Sequence, residues 1–203
     1  MAGRKATAAD LGAYICFEDE AGQGLRPPKG RTWAPRGARP VVTVRGKGSG
    51  RVNIAGVVCY RPGHRPHLMY KLLIYHGRKD EPKSFTWSDY RDLIVAVHQQ
   101  LGTPLVWCWD NLSVHLAAEL ARFTEANADW LRIYRLPAYA PELNPAEGMV
   151  ADAAHHGQLR AHRPDRTRPD RQTQAQEDPV PAQLINGCLA QTGLIIEETT
   201  VTT

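Results

Sequence analysis

The stretch Pro104 to His115, PLVWCWDNLSVH, constrains this chain most. It opens as an unbroken apolar run from Leu105 to Trp109 and stops on two polar side chains, Asp110 and Asn111. A strand apolar on both faces belongs inside a sheet that is covered on both sides. A carboxylate placed just after such a strand stands at its C-terminal lip, where open α/β sheets keep their ligand sites. Asp110 and Asn111 are also good turn residues, so this pair alone is better served by a simple turn. The rest of the chain decides between the two, because it supplies two more acids in similar settings.

Residues 13–20, AYICFEDE, read as a strand that puts Ala13, Ile15, Phe17 and Asp19 on one face. Asp19 continues that apolar face, while Glu18 and Glu20 point away from it. Runs at 41–45, 52–60 and 68–75 are β-rich and separated by Gly, Pro and basic residues, which suggests an antiparallel meander. The period then changes. From Thr86, apolar residues fall at Tyr90, Leu93, Ile94, Val97 and Leu101, the spacing of a helix. Thr86 with Asp89 predicts a capping box, and Gly102 a stop. A second helix is expected over 114–123 and another strand over 130–136. The loop PAYAPELNPAEG then leads to a helix start with Asn144 as N-cap, Pro145 at the first position and Glu147 at the third.

Charge is unevenly spread. The formal net charge is only +4, but from Arg26 to Arg51 there are eight Lys or Arg residues and no acid. Arg26, Lys29, Arg31, Arg36, Arg39, Arg45, Lys47 and Arg51, with Trp33 among them to pack on a sugar or base, form a candidate nucleic-acid surface. A solvated basic loop fits the charge alone nearly as well. Cys16, Cys59, Cys108 and Cys188 are far apart, and neither they nor the His residues show zinc spacing. No run approaches the ~18 apolar residues of a membrane helix, and the N-terminus lacks the apolar core of a secretory signal. A cytoplasmic protein without membrane contact is expected.

The acids fall at the end of the first strand (Asp19), after the strand that follows the first helix (Asp110), and at a helix start (Glu147). That order suits a mixed sheet on which three carboxylates converge. Such a set can hold two hard divalent cations, Mg²⁺ or Mn²⁺ rather than zinc, which bind the attacking and leaving oxygens of a phosphoryl transfer. The protein then needs no nucleophile of its own.

FEDEAG, the triplet WDN followed by His115, and LPAYAPELNPAEG together resemble the DDE catalytic domain of bacterial insertion-sequence transposases related to mariner. The resemblance runs from Tyr14 to Glu147, with Glu147 lying 37 positions after Asp110, and touches LINGCLAQTGL near the end. It implies a ribonuclease-H-like α/β fold, a mixed sheet flanked by helices. It implies Asp19, Asp110 and Glu147 as catalytic, metal-binding residues, with two Mg²⁺ or Mn²⁺ ions, in cleavage and joining of DNA ends. Asn111 and His115 match family positions beside the site and are carried over as supports. DNA is the implied partner, with a second copy or a full-length transposase.

Two departures stand out. About a dozen residues precede the first strand, where family members carry a helix-turn-helix region, so a truncated copy without that DNA-reading part is expected. After Glu147 the family pattern continues as an amphipathic helix, but here an Arg/Asp/Gln/Pro tract follows that is too poor in apolar residues to order itself. The expected organisation is therefore a tail over 1–12, the catalytic domain over 13–148, a disordered or aberrant segment over 149–183, and a short element over 184–203. Family-like sequence on both sides of 149–183 suggests a segment translated out of frame. Two other classes of function remain open at this point. One is a non-catalytic remnant that binds DNA or a full-length transposase through the basic patch. The other is a stand-alone ribonuclease-H-type nuclease.

Overall fold

The computed structural model describes residues 8–24, 51–138, 141–147 and 176–178. Its centre is a six-stranded sheet built from β1 (Tyr14–Gly24), β2 (Arg51–Tyr60), β3 (His67–Tyr75), β4 (Leu105–Trp109), β5 (Leu131–Arg135) and the short edge strand β6 (Gln176–Asp178). The spatial order is β5-β4-β1-β2-β3-β6. β1, β2 and β3 are antiparallel neighbours, as the meander predicts, whereas β4 lies parallel to β1 and β5 parallel to β4. The parallel steps need crossovers, and helices supply both: α1 (Trp87–Leu101) between β3 and β4, and α2 (Ala118–Ala126) between β4 and β5.

Alternation along β1 divides the core in two. Ala13, Ile15 and Phe17 join Ile54, Val58, Val106 and Cys108 on one face, with Ala8 and Ala146 packed there. Tyr14 and Cys16 join Trp107, Trp109 and the inward stripe of α1 (Tyr90, Leu93, Ile94, Val97) on the other. All five residues of β4 are buried, as expected of a strand covered on both sides. The thiols of Cys16, Cys59 and Cys108 are buried in these layers.

α1 begins and ends where its sequence says. The Asp89 carboxylate accepts from the Thr86 backbone N–H at 2.9 Å, completing the capping box. Gly102 closes the helix at φ 62°, a left-handed conformation that glycine adopts without penalty.

Two expectations are revised. β1 runs on to Gly24, because β2 pairs with it along its whole length, Gly24 standing opposite Arg51. The helix expected over 114–123 is two pieces, a 3₁₀ turn over Ser113–Leu116 and then α2, separated at Ala117, whose φ −59° and ψ 135° are extended. Residues 176–178 form β6 against β3. The strand expected over 41–45 and the element expected over 184–203 lie outside the described residues.

Candidate metal-binding active site

The sheet brings two of the three predicted acids together. β1 pairs with β4 through Phe17 and Cys108. Continuing that parallel register by two residues sets Asp19 beside Asp110. Alternation then puts Asp110 on the face of Val106 and Cys108, which is the face of Ile15, Phe17 and Asp19. Gly56, with no side chain, stands opposite Asp19 on β2 and leaves that face open.

Asp110 is exposed at the lip and makes the turn as well as the site. Its Oδ1 accepts the Leu112 backbone N–H at 2.9 Å, so the turn reading and the site reading hold together. Asn111 secures the same turn from the other side, its Nδ2 donating to the Leu136 carbonyl at 3.0 Å while Leu136 N–H donates to the Trp109 carbonyl. Asn111 thus ties the end of β4 to the end of β5.

Glu147 arrives by another route. Asn144 caps the turn that carries it: its Oδ1 accepts the Ala146 N–H at 3.2 Å, and its carbonyl accepts the Glu147 N–H. The same side chain reaches back to the sheet, its Nδ2 donating to the Glu18 carbonyl at 3.0 Å. Asn144 is buried, and Ala146 beside it packs into the Asp19 face of the core. One amide therefore fixes the Glu147 helix start onto the strand of Asp19. The sequence marks Asn144 as a cap; its grip on β1, 126 residues earlier in the chain, carries no local signal.

The electrostatics are those of crowded acids. Burial, then Glu147, then Asp110 raise the Asp19 carboxyl from 3.8 to about 7. Glu20, on the opposite face, is raised by burial and by Asp110, and held down by Arg51. The donor set is all carboxylate oxygen, the chemistry that hard divalent cations take. Among the described residues, no three acidic, His or Cys side chains close around a common point. In donor type and charge these residues fit divalent cations.

A second acid, missed as a site residue in the sequence, lies behind Asp110. Glu18 points away from the Asp19 face as expected, but α1 covers the face it enters, and it is 1% exposed. Its Oε2 lies 3.4 Å from His115 Nε2, and His115 Nδ1 lies 3.0 Å from Asp110 Oδ1. Burial first, then the neighbouring acids Asp19, Glu20 and Asp110, push the Glu18 carboxyl well above the usual range. Burial also lowers His115, although Asp110 opposes this.

Of the predicted nucleic-acid residues, Arg51 alone is described. It is exposed at the start of β2, and its Nη2 donates to the Lys83 carbonyl. Arg26, Lys29, Arg31, Trp33, Arg36, Arg39, Arg45 and Lys47 lie outside the described residues.

An antiparallel β1-β2-β3 unit extended by parallel β4 and β5, with helices in the crossovers and carboxylates at the lip of β1 and β4, is a ribonuclease-H-like architecture. The family profile of the DDE superfamily endonucleases matches residues 14–167, and the chain belongs to that family. Two solved structures share the fold. The Mos1 transposase paired-end complex with left transposon end superimposes with a TM-score of 0.52, and the Mos1 strand transfer complex with 0.51. Each is 16% identical to this chain and covers 76% of it. The chain spans 44% of the length of those proteins. No curated protein sequence matches it. Among the described residues no helix is long and apolar enough to cross a membrane.

Proposed function

We propose that this chain is the catalytic domain of a transposase and that it cleaves and joins DNA strands with Mg²⁺ or Mn²⁺. The observation that carries this reading is the placement of Asp19 and Asp110 at the ends of paired parallel strands, with Glu147 tied to the same sheet by the Asn144 amide. Asp19, Asp110 and Glu147 would hold two ions. Bound there, the ions supply Lewis acidity at the scissile phosphate and charge for the attacking and leaving oxygens. Asp19 and Asp110 fix the position of that charge through the rigidity of two paired strands. Asn111 and His115 hold Asp110 from either side. DNA is the substrate, and a second copy or a full-length transposase is the partner on this reading.

Nicking of supercoiled plasmid with Mn²⁺, wild type beside Asp110→Asn, tests it. Metal-dependent nicking by wild type alone is expected. No nicking by either protein from a folded sample overturns the reading.

That outcome would favour a remnant that binds DNA or a full-length transposase without chemistry. The absence of a closed acidic cage among the described residues is the observation on its side. Binding through the basic patch would then be sequence-tolerant and steeply salt-dependent. Residues 149–183 are read as out of frame between two compensating shifts. The family match, which reaches residue 167, enters that stretch. Translating it in the other two frames should give an amphipathic helix with an early aromatic residue, and the reading fails if neither frame does.

A further inference from the structure

We infer that Glu18 is a positioning residue for the active site, acting on Asp110 through His115. The inference rests on the proposed role of Asp110, and no part of the resemblance assigns Glu18 a role.

The imidazole is tightly boxed in. His115 is 5% exposed. Its ring stacks on Trp109 at 4.2 Å between centroids and 3° between planes, and meets the edge of Tyr90 at 4.6 Å and 87°. These two contacts set the plane of the ring but not its rotation within the plane, because a flat stack tolerates turning. Rotation is set by what faces the two nitrogens. Asp110 Oδ1 faces Nδ1 at 3.0 Å, and Glu18 Oε2 faces Nε2 at 3.4 Å. Glu18 sits on β1 beside β4, so it is carried by the same pair of strands that carries Asp19 and Asp110.

The effect on Asp110 follows. An ionised carboxylate only accepts, so Nδ1 carries the proton in this contact. Asp110 Oδ1 then takes two hydrogen bonds, from Leu112 N–H and from His115 Nδ1–H. The described contacts of this carboxylate all fall on Oδ1, which leaves Oδ2 for a cation beside Asp19. Without a group at Nε2, the imidazole can flip or change tautomer, and Asp110 loses one of its two anchors. Partners that orient a ligand through its hydrogen bonds are worth about 10–100-fold in metal affinity or activity. Glu18 Oε1 and His115 Nε2 are both buried and neither has a hydrogen-bond partner, so Glu18 Oε2 faces Nε2 at 3.4 Å as a polar neighbour and not through a formed hydrogen bond. A carboxyl kept here at a desolvation cost, where an apolar side chain would fill the space, calls for a functional account.

The test compares wild type with Glu18→Ala, Glu18→Leu and Glu18→Gln, beginning with metal-free protein. Ring ¹⁵N spectra should show His115 in a single Nδ1–H form in wild type and in Glu18→Gln, whose amide keeps a polar group at Nε2. Glu18→Ala and the volume-filling Glu18→Leu should give mixed tautomers with an unchanged fold. In nicking assays, the Mn²⁺ midpoint should rise about tenfold in the Ala and Leu variants and return in Gln. A wild-type His115 spectrum in both Ala and Leu variants overturns the inference, as does an unshifted Mn²⁺ midpoint in either of them. If wild type itself does not nick DNA, the functional reading fails, and the metal-free spectra still decide whether Glu18 holds His115.

Discussion

Asp19 and Asp110 differ from Glu147 in what holds them. The first two are borne by adjacent parallel strands whose register is set by a ladder of backbone bonds from Tyr14 to Phe17. Glu147 is borne by the first turn of a helix, and among the described contacts its attachment to the sheet is the Asn144 amide on the Glu18 carbonyl together with the packing of Ala146. A ladder distributes the task of positioning over many residues, and a single buried amide concentrates it. The backbone positions of the first two corners should thus tolerate damage to their surroundings, leaving only the orientation of the Asp110 carboxylate to single side chains, whereas the position of the third should be lost with one side chain.

The largest effect comes from removing a strand-borne acid. Asp19→Asn should lower metal-dependent nicking on the order of 10³-fold, comparable with loss of a central charge-stabilising group elsewhere. The measurement is the initial rate at saturating Mn²⁺, and residual activity above a tenth of wild type would show that Asp19 is not a corner of the site.

The loop-borne corner is tested through its anchor. Asn144→Ala removes the cap and the tie to β1 but leaves all three carboxylates in place. Nicking should fall about 10–100-fold through misplacement of Glu147. The loss of stability should stay near 1 kcal/mol, the ordinary cost of a cap. An Asn111→Ala variant, which cuts the bond to Leu136 while β4 stays in the sheet, should lose less activity. Equal losses from the two would erase the contrast between ladder and amide.

The crowding at Asp19 has a stability signature. Its carboxyl is raised from 3.8 to about 7, so the native state binds this proton more tightly than the unfolded chain does. The penalty is absent below about pH 4, grows as pH rises toward 7, and is constant above. Asp19→Asn cannot ionise, so its thermal midpoint should match wild type near pH 4 and exceed it at pH 8. The gap corresponds to on the order of 2 kcal/mol once partial solvent exposure is discounted. Mn²⁺ at pH 8 should raise the midpoint of wild type and narrow the gap, because the ion binds the folded site alone. A gap that is the same at pH 4 and pH 8 would mean that neither burial nor the neighbouring acids raise Asp19.

How much of this was legible in the sequence depends on the range of each determinant. α1 was readable to the residue at both ends because its capping box and Gly102 are local signals. The two faces of β1 and the acids at its lip followed from alternation. The burial of Glu18 did not, because alternation says which face a residue enters and not whether a helix 70 positions later will cover it. Nor did the break at Ala117, where apolar spacing continues smoothly through a residue whose backbone is extended. Asn144 was read correctly as a cap and incompletely as a clamp, because its second partner is fixed only when the sheet has formed.

The smallest predicted effect lies away from the acids and guards the interpretation of the others. Thr86 caps α1, the helix whose Tyr90 meets the His115 ring. Asp89, which completes the cap, is also bonded by the buried Lys71 at 2.9 Å, so the start of α1 stays tied to β3 when Thr86 is changed. Thr86→Ala should therefore lower stability by about 1 kcal/mol, the same amount as Asn144→Ala. It should leave nicking within twofold of wild type, because neither strand register nor the Asn144 tie depends on it. Two variants matched in stability but unlike in activity would place the difference in geometry. If Thr86→Ala also lost activity about 10-fold or more, general loosening of the domain would explain both, and the special role given to Asn144 would fall.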